Sequence, residues 1–345
     1  MSYIKELHIK NFRGIRDLKL SDLGVVNVIV GENNAGKTSV LEAIAIIERP
    51  TELGNIIRVG GLREILNNKS SYYTIFKNML NADSNSINIS ANIEGQEFNI
   101  DINGDRVHML TEETYSKEIE RFEGKIIVNY GEKKIVENVT ISQKDKEFVL
   151  DNKLQTVSME YVTSIEHLTN NIPNEVIKKG KKKELVDLLK IFDKNIVGLE
   201  MLEENGKTIP YLQHKKFGLM PLSTYGEGTK KVLLLGSSII KAENGVLLID
   251  EVETAIHIDA LVDIFKWFIK ACKRHKVQVF MTTHSIEVID SLLESQNDVD
   301  RLEVLRDLIR IITIRNSLDE KKTKVRNIDG LKAYELREDF NMELR

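Results

Sequence analysis

The feature that most constrains the fold is a glycine-rich segment at residues 31–38, with the sequence Gly-Glu-Asn-Asn-Ala-Gly-Lys-Thr. It matches the phosphate-binding pattern G-x-x-x-x-G-K-[ST]. The apolar residues 25–30 predict a buried strand before it, and residues 38–47 predict a helix after it. In this order, backbone N–H groups and the positive end of the helix can surround a phosphate. The context favours a nucleotide-binding α/β domain over a purely structural turn.

We call residues 31–38 the phosphate loop. Two of its side chains have predicted chemical roles. Lys37 would reach the β- and γ-phosphates of a nucleotide, and the Thr38 hydroxyl would bind Mg²⁺. We therefore expect ATP and Mg²⁺ at this site. The residues expected to contact the nucleotide here are Gly31, Asn33, Asn34, Ala35, Gly36, Lys37, Thr38 and Ser39.

Composition narrows the possible classes of protein. The chain has 345 residues, of which 41 % are hydrophobic and 30 % charged, and its formal net charge is -4. A packed core is therefore expected, and no global basic excess indicates nucleic-acid binding. A single cysteine, Cys272, excludes an intrachain disulfide. Because no signal-like core and no apolar run of membrane-spanning length is present, we expect a cytoplasmic protein with no membrane partner.

The hydrophobic period changes along the chain. Residues 3–10 and 16–20 predict strands, alternation from 84 to 151 predicts an antiparallel meander, and residues 160–204 predict helices. After Gly228, strands and helices alternate, which is typical of a mostly parallel sheet, and a hairpin and a helix over 330–340 end the chain. We predict one domain over 1–345, with a nucleotide-binding core (1–50 and 221–345), a β-rich arm (51–151) and a helical insertion (152–220).

Acidic residues follow a second apolar strand. Asp250 and Glu251 end the sequence Gly-Val-Leu-Leu-Ile-Asp-Glu, and His284 ends the next predicted strand. In a phosphate-loop enzyme the first acid is expected at Mg²⁺, and the second would orient and deprotonate the attacking water. Since ligands bind at the carboxyl ends of such strands, His284 is expected to sense the γ-phosphate. The predicted catalytic residues are Glu251, His284 and Lys37, and the predicted metal ligands are Thr38 and Asp250.

A second candidate anion site begins the helix predicted over 229–242. Residues 223–228, with the sequence Ser-Thr-Tyr-Gly-Glu-Gly, place small residues at a helix start, where backbone N–H groups are free. Ser223, Gly226 and Gly228 are its predicted binding residues. The segment is too distant along the chain to belong to the phosphate loop, so in one subunit it would have nothing to bind.

Together these segments resemble the ABC-type head ATPases of the RecF/SMC/OLD group, in the branch of AAA-family ATPases with an ABC head. The resemblance covers nearly the whole chain and implies a P-loop NTPase fold with a mostly parallel core sheet, an antiparallel β arm and a helical insertion. It rests on Ile-Lys-Asn-Phe-Arg-Gly at 9–14, the phosphate loop, the signature-like loop 223–228, Asp250 and Glu251, the D-loop-like segment 253–257, His284, and the ending 331–345.

The resemblance implies a mechanism in which two heads dimerise head to tail around two ATP molecules. The signature-like loop of one head would cap the γ-phosphate held by the other, through Ser223 or Thr224. Arg13 is similar to an arginine that lies near the nucleotide in this group, and a surface turn arginine is the alternative. For the glutamine of the Q-loop, Gln143 and Gln155 are candidates by approximate position only.

The function implied by this resemblance is an ATPase whose ATP-dependent dimer gates a separate effector, a nuclease or a toxin, in anti-phage defence. OLD-type members carry a Toprim nuclease, for which the residues after His284 are too few. The alternatives are a RecF-like repair ATPase that binds DNA, a nucleotide-switched scaffold with little turnover, and a transporter subunit. The five lysines within 178–183 could contact DNA, although a solvated start of a helix is the simpler interpretation.

Overall fold

The computed structural model describes residues 2–64, 70–110, 118–145, 153–169, 176, 178–204, 206–296, 301–316 and 323–340. The predicted strand 147–151 and the final residues 341–345 lie outside them. The strands are β1 (Ile4–Phe12), β2 (Ile15–Leu20), β3 (Val26–Val30), β4 (Ser86–Ile93), β5 (Gln96–Leu110), β6 (Glu118–Tyr130), β7 (Lys133–Ser142), β8 (Met159–Val162), β9 (Ile196–Glu204), β10 (Lys207–His214), β11 (Gly218–Pro221), β12 (Val246–Ile249), β13 (Gln278–Thr283), β14 (Ile309–Asn316) and β15 (Thr323–Asp329).

Helices of six or more residues cover these strands. They are α1 (Lys37–Ile47), α2 (Leu53–Gly60), α3 (Tyr72–Lys77), α4 (Lys182–Leu189), α5 (Glu227–Lys241), α6 (Ile258–His275), α7 (Ile286–Glu294) and α8 (Gly330–Phe340). The helix predicted over 330–340 and the two short helical patterns predicted within 51–82 are thereby confirmed.

The core sheet has the strand order β15-β14-β3-β13-β12-β8. Its neighbouring strands are parallel, except that β15 forms an antiparallel hairpin with β14. All residues of β3, β12 and β13 are buried, because α1 and an antiparallel sheet cover one face while α5, α6 and α7 cover the other. The strand–helix alternation predicted after Gly228 is therefore confirmed, and the carboxyl ends of three buried strands meet at one edge.

The predicted antiparallel meander is also confirmed, but it does not stand alone. Strands β4–β7 pair in sequence, and β1 pairs with β4 to give the sheet order β2-β1-β4-β5-β6-β7. The predicted boundary between core and arm at residue 51 thus separates strands that share one sheet. Long-range pairing of β1 with β4 joins them, and nothing in the local period of either strand encodes it.

The expectation of a helical insertion over 152–220 is wrong for most of that stretch. Among the described residues there, helical conformation is confined to α4, a short turn at Glu166–Thr169 and residues 176 and 178, while β8 joins the core sheet beside β12, and β9–β11 form a small three-stranded antiparallel sheet. Leucines and glutamates in residues 196–204 suit a helix, but these residues pair with β10 across the Asn-Gly dipeptide at 205–206. This dipeptide is a strong hairpin signal that outweighs helix propensity.

Among the described residues, no helix is both long and apolar enough to cross a membrane. Cys272 lies on α6 and is fully buried in the core.

Candidate nucleotide-binding and catalytic site

The phosphate loop connects β3 to α1 at the carboxyl edge of the core sheet. A Cβ atom on Gly31 would lie 2.4 Å from the carbonyl oxygen of Ile314, so the close approach of β14 requires glycine there. Gly36 has a φ of 96°, which also favours glycine, and caps α1 without a side-chain hydrogen bond from the described residues. No acidic residue lies in the first turn of α1, so its N–H groups remain available to a phosphate.

Lys37 folds back over the phosphate loop. Its Nζ donates hydrogen bonds to the carbonyl oxygens of Gly31 at 2.8 Å and Glu32 at 3.0 Å. Burial lowers the pKa of Lys37, and the negative charges of Asp250 and Glu251 oppose this shift. The ammonium group therefore lies between the loop and the acidic strand end, where it would meet the outer phosphates of a nucleotide. Of the remaining loop residues, Asn33 and Asn34 are exposed, whereas Ala35 is buried.

The two predicted metal ligands lie together. Thr38 Oγ1 donates to Asp250, with both carboxylate oxygens at 3.1 Å, although 212 residues separate them in sequence. A hydroxyl group and a carboxylate are the oxygen ligands that Mg²⁺ prefers, together with phosphate oxygens. The donor set at this position therefore fits a magnesium ion that accompanies a nucleotide.

Thr282 is a site residue that the sequence analysis missed. Its buried Oγ1 donates to Asp250 Oδ1 at 2.6 Å and accepts from the backbone N–H of Glu251 at 2.8 Å. One hydroxyl on β13 thereby fixes the carboxylate of the first acid and the backbone of the second. The sequence feature that could have identified Thr282 is its position in Met-Thr-Thr-His-Ser, two residues before the candidate His284.

The predicted base Glu251 has an unusual backbone conformation. Its φ is 48°, which is uncommon for a residue other than glycine, asparagine or aspartate. The N–H of Val252 donates to the carbonyl oxygen of Thr282 at 3.1 Å and helps to hold this turn. Thr254 Oγ1 lies 3.4 Å from Glu251 Oε2, within weak hydrogen-bond distance. Such backbone strain persists only where surrounding contacts impose it, and it clusters at functional sites.

His284 follows β13 and is held by Glu253. The Nδ1 atom of His284 lies 3.1 Å from Glu253 Oε1, and the same oxygen accepts from the His284 backbone N–H at 3.1 Å. Thr283 Oγ1 donates to this oxygen at 2.8 Å. The imidazole is 56 % exposed, so its other nitrogen is accessible at the strand edge where Asp250 and Glu251 also lie.

Arg13 is neither a surface arginine nor a contact of the phosphate loop. It binds the fully buried Glu42 of α1, with Nε 2.6 Å from Oε2 and Nη2 3.1 Å from Oε1. Arg63, which the sequence analysis missed, binds the same carboxylate at 2.7 and 2.9 Å and donates from Nη2 to Ser39 Oγ at 3.0 Å. Two guanidinium groups on one carboxylate leave a net positive charge beside the phosphate loop.

Neither Q-loop candidate forms a hydrogen bond with the phosphate loop, Asp250 or Glu251 among the described residues. Gln143 lies in the turn after β7, where its N–H donates to the carbonyl oxygen of Glu120, and Gln155 is exposed before the start of β8. At the carboxyl end of β8 the structure places Thr163 and Glu166 instead. No sequence signal distinguished this end, because β8 itself was assigned to a helical region.

The signature-like loop leads into α5, which packs in a different part of the core from the helix α1 that follows the phosphate loop. Residues Leu222–Thr224 form one short turn, Gly226 caps α5, and no side chain from the described part of the chain caps that end. Thr224 Oγ1 donates to the Pro221 carbonyl oxygen at 2.8 Å, whereas exposed Ser223 makes no side-chain hydrogen bond to a described residue. The predicted binding residues Ser223 and Gly226 are thus exposed, and no described side chain binds the Ser223 hydroxyl or this helix end.

A family model described as "AAA domain, putative AbiEii toxin, Type IV TA system" matches residues 26–290, which is more than half of the chain. The chain belongs to this AAA-domain family. The matched range includes the phosphate loop, both acids and His284. It excludes β1, β2 and the C-terminal hairpin.

Similar proteins match either most of the chain or a part of it. An ATP/GTP phosphatase of Helicobacter pylori is 23 % identical over 343 residues, which cover 85 % of this chain and 89 % of that protein. The RecF replication and repair protein of Shewanella piezotolerans is 34 % identical over 108 residues, 31 % of this chain and 29 % of RecF. An uncharacterized Methanocaldococcus jannaschii protein is 43 % identical over 101 residues, 28 % of this chain and 43 % of that protein. The last two matches therefore span less than half of each relative.

Solved structures show the fold. An SMC head bound to the C-winged helix domain of ScpA matches with a TM-score of 0.56 at 10 % identity, covering 96 % of this chain and all of that one. An SMC head with an extended coiled coil, bound to the C-terminal domain of ScpA from Pyrococcus furiosus, matches with a TM-score of 0.53 at 11 % identity, covering 99 % and 100 %. The chain has the α/β fold of an ABC-type head ATPase, as the resemblance implied.

Proposed function

We propose that this chain hydrolyses ATP and that ATP drives it to pair head to tail with a second copy, which gates a separate effector protein. The observation that carries the proposal is the exposed signature-like loop, whose helix end and Ser223 hydroxyl are bound by no side chain from the part of the chain that the structure describes. The phosphate loop, by contrast, carries the cation Lys37 and the candidate metal ligand Thr38, and the acid Asp250 lies within hydrogen-bond distance of Thr38. Two copies in opposite orientation would bring one loop of each kind to each ATP.

The chemistry within one head follows from the geometry. Lys37 and the N–H groups at the start of α1 would bind the phosphate oxygens, and Thr38 and Asp250 would hold Mg²⁺. When bound, Mg²⁺ neutralises charge on the phosphate oxygens. Glu251 would accept the proton of the attacking water, and Thr282 keeps its backbone in place. His284, oriented by Glu253, would contact the γ-phosphate.

Two observations support a separate effector in anti-phage defence, and a third argues against a contact with DNA. The family description refers to a putative AbiEii toxin of a toxin–antitoxin system. The SMC heads of the same fold are bound to ScpA domains, so a head of this shape can hold another protein. In addition, Lys179, Lys181 and Lys182 form ion pairs with Glu243, Glu184 and Glu200. These pairs favour a structural role for the lysine cluster over a contact with DNA.

The test is the solution mass of Glu251→Gln with and without Mg-ATP, measured by light scattering, together with phosphate release. We expect this variant to bind ATP, to hydrolyse it more than ~10²-fold more slowly than wild type, and to double in mass. Lys37→Ala is the control and should neither bind ATP nor change mass. Hydrolysis at the wild-type rate would refute the role of Glu251, and an unchanged mass would refute ATP-driven pairing and favour a scaffold.

A RecF-like function is the second candidate, favoured by the local match to RecF. Duplex DNA would then stimulate phosphate release, and added salt would abolish the stimulation, because contacts to the phosphate backbone release counterions. Stimulation by DNA at low salt would replace effector gating as the proposed function.

A further inference from the structure

One charged side chain in the protein interior has no hydrogen-bond partner among the described residues. Lys231 lies on α5, one turn into the helix that follows the signature-like loop, and it is fully buried. Its Nζ makes no hydrogen bond to any described residue. Burying an unpaired ammonium group is costly, since the charge loses its hydration without gaining an ion pair. Such a residue is explained if the ammonium group has a partner in another state of the protein.

A carboxylate oxygen nearby is also unused. Glu253 Oε1 accepts from Thr283 and His284, but its second oxygen, Oε2, is buried and has no hydrogen-bond partner among the described residues. Burial lowers the pKa of Lys231 to about 8, and among the carboxylates that oppose this shift Glu253 acts most strongly, ahead of Asp250. Lys231 Nζ and Glu253 Oε2 are thus buried atoms of opposite charge that have no hydrogen-bond partner among the described residues and lie within electrostatic reach of each other.

A backbone contact connects the two elements that carry these groups. A Cβ atom on Gly228 would lie 3.0 Å from the carbonyl oxygen of Ala255, so the start of α5 packs directly on the loop after β12. That loop holds two non-glycine residues with left-handed backbone, Glu251 at a φ of 48° and Ala255 at 69°. A strained loop in contact with the signature-like helix is suited to change when the helix moves.

We propose that Lys231 is a positioning residue that binds Glu253 Oε2 when a second copy closes on the signature-like loop. The inference rests on the proposed head-to-tail pairing. Because Glu253 Oε1 already holds His284, an ion pair at Oε2 would fix the imidazole and the turn that carries Glu251. Closure around one ATP would thereby promote hydrolysis of the other. In a buried, weakly polar environment the attraction between the two charges is stronger than the same attraction in water.

The test is a double-mutant cycle with Lys231→Met, Glu253→Gln and the double variant. Each is assayed for the kcat of phosphate release, for ATP affinity of the dilute protein and for the thermal midpoint. We expect each single change to lower kcat about tenfold, with ATP affinity within about twofold of wild type, and the double variant to match the worse single variant. Lys231→Met should also keep or raise the thermal midpoint, because it removes an unpaired buried charge.

A matched control lies on the same helix. Lys241→Met removes a lysine whose ammonium group is paired with Glu160 near the surface, and it should leave kcat unchanged. Losses that multiply in the double variant would overturn the inference, as would a loss of kcat explained by a lower thermal midpoint or by weaker ATP binding. Absence of phosphate release by the wild type would overturn the proposed function as well, so the two failures are distinguishable.

Discussion

The phosphate loop and the signature-like loop both place backbone N–H groups at the start of a helix, but they differ in the side chains that lie beside those groups. The phosphate loop is completed within the chain by Lys37 and by the contact between Thr38 and Asp250 at 3.1 Å. The signature-like loop has a free helix end and an exposed Ser223, and no hydrogen bond from a described residue reaches its hydroxyl. The comparison shows that the first loop has side-chain partners within one chain, whereas the second has the unused backbone and hydroxyl groups that the proposed pairing with a second copy requires.

The helices behind these loops are also anchored differently. The buried carboxylate of Glu42 on α1 lies between two arginines, at 2.6 Å from Arg13 and 2.7 Å from Arg63. Near the far end of α5 the arrangement is reversed, because the buried imidazole of His275 lies between the carboxylates of Glu184, at 2.9 Å, and Glu243, at 3.1 Å. The first anchor is thus a carboxylate between two guanidinium groups, and the second is an imidazole between two carboxylates.

The largest effect on stability is expected from Glu42→Gln, which removes the carboxylate that anchors α1. The change leaves the largely buried guanidinium of Arg13 and the more exposed one of Arg63 facing each other without a counter-charge, and we expect a loss of about 3–5 kcal/mol of unfolding free energy. Urea unfolding at neutral pH measures it. Glu137→Gln, which breaks a partly exposed pair with Lys153, is the control and should cost less than about 1 kcal/mol. Equal losses in the two variants would show that Glu42 does not anchor α1.

A smaller effect is expected from Ser223→Ala, which sharpens the difference between the loops. Removing one donor to a phosphate in the transition state lowers kcat by about 10²-fold. Since the donor would act on ATP held by the other copy, ATP affinity of the dilute protein should be unchanged. The comparison variant is Thr224→Ala, whose hydroxyl already donates to Pro221. If Thr224→Ala lowers phosphate release and Ser223→Ala does not, Thr224 is the capping residue.

The smallest effect concerns the anchor of α5 and its pH dependence. Hydrogen bonds from His275 and Lys179 hold the pKa of Glu243 below its ordinary value of 4.5. A lowered pKa stabilises the fold above the pKa of the unfolded chain, and this stability is lost as pH falls through the folded value. The thermal midpoint of wild type should therefore exceed that of Glu243→Gln at pH 6, and the difference should disappear in acid below pH ~4.

Exposed Glu203 provides the control for this measurement, since Glu203→Gln should shift the midpoint little at either pH. A difference between wild type and Glu243→Gln that persists unchanged in acid would mean that the carboxylate charge is not what stabilises this anchor.

The sequence alone determined the elements whose signals are local. The motif at 31–38, the apolar strand before Asp250 and Glu251, and the alternation after Gly228 each carry their signal within a few turns or strands. Hydrophobic period and turn residues are properties of neighbouring side chains, so the order of these elements could be predicted. Their convergence at one sheet edge followed from the rule that parallel strands end together.

Only the tertiary structure decided which distant residues meet. It joined β1 to β4, added β8 to the core sheet, brought Thr282 and Arg63 to the site, and buried Lys231. These placements depend on pairing and packing between segments far apart in the chain, where a threonine, an arginine or a lysine has the same local pattern whether it faces solvent or the site. Local periodicity shows which face of an element is apolar, and long-range packing selects what that face meets.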